Sequence, residues 1–308
     1  MKEYLRSDGD TLTIEYQGNS STTAVVFNVF DLNLNEYIQS DEATEITGDV
    51  FEIVLSQDTT KYDRDLKVEL QVVETNHYYE DTLYVKLTRP YATAEEIAEA
   101  LDIEIDETPT LSNQYKRSTL ERLERKARAF IESKINDSFS FEYKTVGTYG
   151  MNTDLLHLGN RIESFDQIIF DDYVVYDTTT DPEVNELGQN IAISKSKHGL
   201  KVVSEGTNIA EWVDVNPLAF PGYWNKDSAY LVRGEFGWQF VPSAIKEATL
   251  ELINDMMCSD FNYRNKGIKS IKNDAFDVQF QDSVILGTGN VMVDALISPY
   301  KKFELKAI

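Results

Sequence analysis

The chain has 308 residues, with 29 basic and 53 acidic side chains and a formal net charge of −24. This balance argues against a general nucleic-acid binder, because phosphate contacts need clustered Lys and Arg, and against a protein that binds anionic membranes. The single cysteine, Cys258, excludes an internal disulfide framework and a cysteine-based zinc site. At roughly 100–200 residues per domain, the length predicts two or three domains.

The first predicted domain, residues 1–90, has the pattern of strands. Apolar residues alternate with polar ones around Leu12, from Leu66 to Val72 and from Leu83 to Leu87, and further strands are expected at 24–30 and 50–55. Short strands at this spacing predict a small antiparallel β-sandwich. The first ten residues lack an apolar stretch of signal-peptide length, so we expect a protein made and kept in the cytosol.

Residues 91–138 and 241–308 are predicted to be helical. Thr93 and Glu96 fit a capping box, and a long apolar stripe follows that ends near Asn136. Pro242 suits the first turn of another helix, and Asn290 or Thr288 can cap a last short one.

Between these two segments, residues 139–240 return to strand character, with turn residues between short apolar runs. The predicted fold class is therefore α+β, with helical segments on either side of this β-rich stretch.

Motifs for chemistry are scarce. The three histidines lie far apart in the sequence and none belongs to a metal-ligand pair, so each is interpreted as an ordinary surface or core residue. Acidic pairs are common, but none completes a calcium-loop pattern; they are Asp8/Asp10, Asp63/Asp65 and Asp171/Asp172. We expect no catalytic residues, no metal and no cofactor.

One unusual segment is a cluster of basic residues on the long helix, in an otherwise acidic chain. Its members are Lys116, Arg117, Arg122, Arg125, Lys126 and Arg128. The plainer interpretation is that Glu121 and Glu124 pair with the arginines four residues later, for about 0.2–0.5 kcal/mol each. The functional alternative is a docking stripe for an acidic neighbour, including another copy of this chain. Aromatic residues also cluster near Trp224 and Trp238, which suits either an interface or burial.

From about residue 93 onward, the order of features resembles the head–tail connector (adaptor, head-completion) family of tailed bacteriophages. The resemblance rests on segments 94–101 (AEEIAEAL), 129–132 (AFIE), 139–143 (FSFEY), 154–158 (DLLHL), 162–169 (IESFDQII), 234–238 (GEFGW), 241–248 (VPSAIKEA) and 296–302 (LISPYKK). Residues 1–90 have no counterpart in compact members of that family, and the insert is long.

The resemblance implies a helical connector core with a β-rich insert and a structural, non-enzymatic role in the virion neck, after assembly in the host cytoplasm. Such proteins form a ring, typically of twelve copies, between the portal protein and tail or neck proteins. The ring extends the channel for genomic DNA, which passes without sequence-specific binding. The predicted contacts are the basic residues Lys116, Arg117, Arg122, Arg125 and Lys126 and the C-terminal Tyr300, Lys301, Lys302 and Phe303.

Two other interpretations remain open. The paired β segments and the aromatic residues near Trp224 also suit a module of a phage tail that binds a carbohydrate or a host surface. A hydrolase that uses a carboxylate pair rests only on the abundance of acids.

Overall fold

The computed structural model describes residues 2–5, 11–75, 77–170, 173–178, 191–202, 224–226, 228–257, 270–272, 277–279 and 288–301. The chain divides into two compact units. The first unit joins residues 1–89 with 140–239, and the second unit joins residues 90–139 with 240–308.

The described residues form nineteen strands and five α-helices. The strands are β1 (Lys2–Leu5), β2 (Leu12–Gln17), β3 (Thr22–Asp31), β4 (Glu36–Glu42), β5 (Thr44–Thr47), β6 (Val50–Leu55), β7 (Arg64–Glu74), β8 (Tyr78–Thr88), β9 (Glu104–Ile105), β10 (Gln114–Tyr115), β11 (Phe141–Tyr149), β12 (Leu155–His157), β13 (Ile162–Phe170), β14 (Tyr173–Asp177), β15 (Ile191–Ile193), β16 (Gly199–Val202), β17 (Ala229–Gly237), β18 (Ser270–Lys272) and β19 (Asp277–Gln279). The helices are α1 (Gln57–Thr60), α2 (Ala94–Ala100), α3 (Arg117–Ile135), α4 (Ser243–Met257) and α5 (Val291–Ile297), and a 3-10 turn (Ser298–Tyr300) follows α5.

Residues 2–88 of the first unit form two sheets that share one core. The larger has the order β1-β8-β7-β3-β4 and the smaller β2-β6-β5. Alternate residues of these strands are buried between the sheets, including Phe27, Ile53 and Val68, as a period of two requires. All neighbours in the two sheets are antiparallel except β1, which pairs with β8 in parallel.

Residues 140–239 of the first unit form two further sheets, in the orders β11-β17-β13-β14 and β12-β16-β15. Their core includes Leu156, Ile168, Leu200 and Val232, all at most 1% exposed. A Cβ on Gly234 would lie 2.3 Å from the carbonyl oxygen of Ser164, so this glycine lets β13 and β17 approach closely.

The second unit contains α2 to α5 and two pairs of short strands, β9 with β10 and β18 with β19. The capping box at α2 is confirmed: the Thr93 side chain accepts from the Glu96 amide, and the Glu96 carboxylate accepts from the Thr93 amide. Asn290 caps α5 as expected, because its side chain accepts from the amides of Met292 and Val293. Asn136 ends α3 in the left-handed region, with φ of 55°.

The prediction of a helical connector core is wrong. Strands dominate the described chain, and even the segment between the two helices expected within residues 93–136 contains the short strands β9 and β10. Helices α2 and α5 have seven residues each, so they are about 10 Å long, whereas α3 has 19 residues and α4 has 15. Apolar stripes in the sequence indicate where a helix has a buried face, but they do not indicate whether enough long helices exist to form a bundle.

Candidate functional site

The basic residues predicted as an interface lie on or next to α3, with unequal surroundings. Lys116 precedes the helix and is exposed, and Arg117 donates a hydrogen bond to Glu95. Arg125 lies 3.8 Å from Glu121, which confirms one of the two expected pairs. Arg122 and Lys126 lie four residues apart and are both exposed. Within the described ranges, neither residue forms an ion pair. Arg122 and Lys126, hereafter the cationic pair, are therefore the two residues of the predicted stripe that lie within α3, are exposed and form no ion pair among the described residues.

The opposite side of α3 carries a buried ionic group. Glu124 is fully buried, and its Oε1 accepts from the backbone amide of Tyr91 at 2.9 Å and from Arg128 Nε at 3.2 Å. The expected Glu124–Arg128 pair is thus confirmed, but it is not the weak surface pair that the helical spacing suggested. Residues two apart on a helix point about 200° apart, so burial of Glu124 directs Arg122 and Lys126 to the opposite side.

Tyr91 fixes the end of the same helix. Its hydroxyl donates to Glu132 at 2.7 Å and accepts from the Phe139 amide at 3.0 Å. Burial and the nearby Glu132 carboxylate raise the pKa of Tyr91 far above its usual value, so the hydroxyl stays protonated. The bonds from Tyr91 to Glu124 and Glu132 therefore hold the middle and the C-terminal part of α3, which sets the direction of the cationic pair.

The C-terminal residues predicted as a contact are only partly described. The ring of Tyr300 packs edge-on against Phe139, with centroids 5.3 Å apart, and Lys301 is half-buried. Lys302 and Phe303 lie outside the described residues. Tyr300 therefore has a packing role inside the second unit.

Sequence reasoning missed a group of buried polar side chains in the first unit, around Asp63. Its carboxylate accepts from the backbone amides of Arg89 at 2.5 Å and Phe141 at 2.6 Å, and its own amide donates to the Phe141 carbonyl at 2.7 Å. The Arg89 guanidinium donates to the carbonyls of Trp238 and Gln239 at 2.9 and 2.7 Å. This Asp63 junction ties residues 2–89 to the β-rich insert.

Two ionic contacts extend the junction. Arg233 on β17 makes a forked pair with Glu36 on β4, with N–O distances of 2.9 and 2.7 Å. Lys61 and the Tyr62 hydroxyl both donate to Glu235, at 2.8 and 2.7 Å. Burial of the Tyr62 hydroxyl and its bond to Glu235 raise its pKa to about 12.

The Glu235 contacts predict a pH dependence of stability. Burial raises the pKa of the Glu235 carboxyl, but hydrogen bonds from Lys61, Tyr62 and Ser164 outweigh burial and lower it overall. A carboxyl with a lowered folded pKa stabilises the fold above its unfolded pKa of about 4.3, and this contribution disappears as pH falls through the folded value. We expect wild type to exceed Glu235→Gln in unfolding free energy at neutral pH, and the difference to shrink as the pH falls below the unfolded pKa and through the lowered folded pKa.

The control for this measurement is Glu80→Gln, which changes an exposed glutamate of the same unit. Urea unfolding at a series of pH values measures both differences. A gap between wild type and Glu235→Gln that stays constant down to acidic pH would contradict the expectation.

Other residues singled out in the sequence have ordinary surroundings. His77, His157 and His198 are exposed, and His77 lies 2.9 Å from Glu74. Within the part of the chain that the structure describes, no three His, Cys, Asp or Glu side chains form a possible metal site. Asp8, Asp10, Asp171 and Asp172 lie outside those residues.

Trp224, which motivated the carbohydrate alternative, is fully buried. Its indole N–H donates to the Asp154 carbonyl at 3.2 Å, and its ring packs edge-on against Tyr230 at 5.0 Å. Trp238 is covered by the Arg161 guanidinium at 3.9 Å from the ring centroid. Residues 220–223 lie outside the described residues. Trp224 therefore offers no stacking surface, and one face of the partly buried Trp238 is covered.

Comparisons with known proteins add little. No family model matches the chain, and no curated protein matches it. One solved structure with a partial likeness is the pullulanase SAP of Group B Streptococcus, at 15% identity and a TM-score of 0.20, over 29% of this chain and 11% of that one. A likeness this small indicates neither a shared fold nor a shared activity. Among the described helices, none has the length and apolar character needed to cross a membrane.

Proposed function

We propose that this chain is a structural virion protein of a tailed bacteriophage that forms a ring between the portal and the tail. The observation that carries the proposal is the cationic pair, which faces solvent on α3 in a chain of formal net charge −24. Isolated cations on a strongly acidic protein favour contact with an acidic partner, and the most abundant acidic partner is another copy of the chain.

A closed ring needs head-to-tail contacts, so each subunit must present two different and complementary faces. The cationic pair supplies one face, and the many exposed carboxylates supply the other. Charge contacts of this kind mainly fix specificity and register and speed association, whereas packed side chains at the same interface provide most of the affinity. The proposal needs no helical bundle, because the proposed contact lies on the surface of one helix, α3, which Glu124 and Tyr91 hold in place.

The resemblance of residues 93–308 to head–tail connector proteins supports the same role and implies twelve copies. The acidity of the chain suits a conduit for DNA: a negative lumen repels phosphates and lets the duplex slide without sequence-specific binding. The portal protein and tail or neck proteins are the proposed partners above and below the ring. No cofactor or chemical step enters this role.

The proposal is tested by reversing the charges of the cationic pair. We expect the Arg122→Glu/Lys126→Glu protein to fold normally but to lose ring assembly, because it places carboxylates against the acidic face of the next copy. Mass photometry and sedimentation velocity, with and without the portal protein of the same virus, measure assembly. Raising the salt concentration should weaken wild-type assembly as well, since exposed charges are screened.

The matched control is Lys86→Glu/Lys226→Glu, which makes the same charge change at exposed positions of the first unit. This protein should assemble as wild type does. Equal assembly of both double variants, or a wild-type protein that forms no ring alone and adds none to the portal, would contradict the proposal.

A further inference from the structure

The outer face of the five-stranded sheet carries a row of three aromatic side chains and one lysine across four neighbouring strands. Tyr84 on β8 lies opposite Lys67 on β7, Lys67 lies opposite Phe30 on β3, and Phe30 lies opposite Tyr37 on β4. Directly opposite residues of paired strands project to the same face. At about 4.8 Å between strands, the row spans roughly 14 Å.

Two rings of this row are exposed, and one of them, Tyr37, is held in place by its neighbours. Tyr37 is 62% exposed and Tyr84 is 49% exposed. Tyr37 packs edge-on against Phe30, with centroids 5.0 Å apart, and its hydroxyl donates to Glu69 at 2.7 Å. A ring fixed before binding loses little conformational entropy when a ligand packs on it.

The two charged side chains in this row and the next row form a balanced pair. Glu69 accepts from Lys67 Nζ at 2.5 Å as well as from Tyr37, so the carboxylate is neutralised within the face. The neighbouring row across the sheet is polar and consists of Thr82, Glu69, Asn28 and Ser40. These two rows therefore combine exposed aromatic rings with hydrogen-bonding groups, and the Lys67–Glu69 pair leaves them without net charge. The rows on either side of them add Glu42, Glu80, Asp65 and Lys86.

We propose that this sheet face, hereafter the tyrosine row, binds a neutral oligosaccharide. The C–H face of a sugar ring packs on an aromatic ring, while its hydroxyls need donors and acceptors beside the ring, and the tyrosine row offers both. The balanced Lys67–Glu69 pair fits an uncharged ligand, and a chain of net charge −24 disfavours nucleic acids and anionic glycans. This inference goes beyond the ring role and does not depend on it.

The test applies the full-length protein to an array of neutral glucans, mannans and galactans, with sialylated glycans and single-stranded DNA as charged probes. Calorimetric titration then measures the affinity for the best neutral oligosaccharide. We expect Tyr37→Ala and Tyr84→Ala each to weaken binding by at least about tenfold, because each removes a stacking ring. Tyr37→Phe, which keeps the ring, should bind within a factor of about three.

The control is Tyr149→Ala, which removes a tyrosine that is 66% exposed on β11 of another sheet. It should leave binding unchanged, and circular dichroism should show all variants folded. Three results would overturn the proposal: no neutral oligosaccharide is bound, binding persists in both alanine variants of the row, or Tyr149→Ala weakens binding equally.

Discussion

Replacing Asp63 by alanine is expected to lower the free energy of unfolding of the first unit by about 3–5 kcal/mol. The Asp63 side chain is buried, and its carboxylate is the acceptor for the amides of Arg89 and Phe141. Each buried amide left without an acceptor costs about 1–3 kcal/mol, and bonds to a carboxylate are at the strong end of that range.

Tryptophan fluorescence in urea measures this effect directly, since Trp224 and Trp238 both lie in the first unit. Asp65→Ala is the matched control, because Asp65 is two residues away from Asp63, at the start of β7, and is half-exposed. This control substitution should lower the free energy of unfolding by no more than about 0.5 kcal/mol. Similar destabilisation by the two substitutions would show that Asp63 has no special role in joining the insert to residues 2–89.

Glu124→Ala is expected to destabilise the second unit by about 3–5 kcal/mol and to abolish ring assembly. The substitution removes the carboxylate that faces Arg128, which is only 8% exposed, and takes the acceptor from the Tyr91 amide. A buried charge that loses its partner is far more costly than a broken surface pair. Without the contacts of Glu124, α3 is no longer held at one rotation about its own axis, so the cationic pair no longer faces a fixed direction.

The control is Glu121→Ala, which removes the partially exposed partner of Arg125 at 3.8 Å. Its effect should be at most about 0.5 kcal/mol, with assembly retained. Far-UV circular dichroism is the suitable probe, since α3 and α4, the two longest described helices, belong to the second unit. The double variant Glu124→Leu/Arg128→Met should recover much of the stability, because it removes both charges together. Equal losses of unfolding free energy for Glu121→Ala and Glu124→Ala would show that the buried contacts of Glu124 do not hold α3 in place.

Strands and helices with one buried face could be predicted from the sequence. The alternation of Val50–Leu55 predicts β6 with the bounds that the structure has, and the stripe that ends near Asn136 predicts the end of α3. These signals are local, because each apolar residue reports its own burial. Strand β5 (Thr44–Thr47) was not predicted for the same reason: all four residues are exposed, so the strand shows no alternation of buried and exposed residues.

The polar contacts could not be predicted in this way. Asp63 receives hydrogen bonds from residues 26 and 78 positions away in the chain, and nothing local distinguishes it from the other acids. Glu124 was identified as a helical partner of Arg128, but its complete burial depends on the packing of Tyr91 against the helix. The tyrosine row also depends on the register of four strands, which alternation within one strand does not fix.

A reconstruction of virus particles that contain this chain, by electron cryomicroscopy focused on the vertex where head and tail meet, tests the central claim most directly. We predict a closed ring of copies between the portal and the tail, with the α3 face that carries Arg122 and Lys126 against an acidic surface of the next copy. Density for this chain at any other position in the particle would contradict the account.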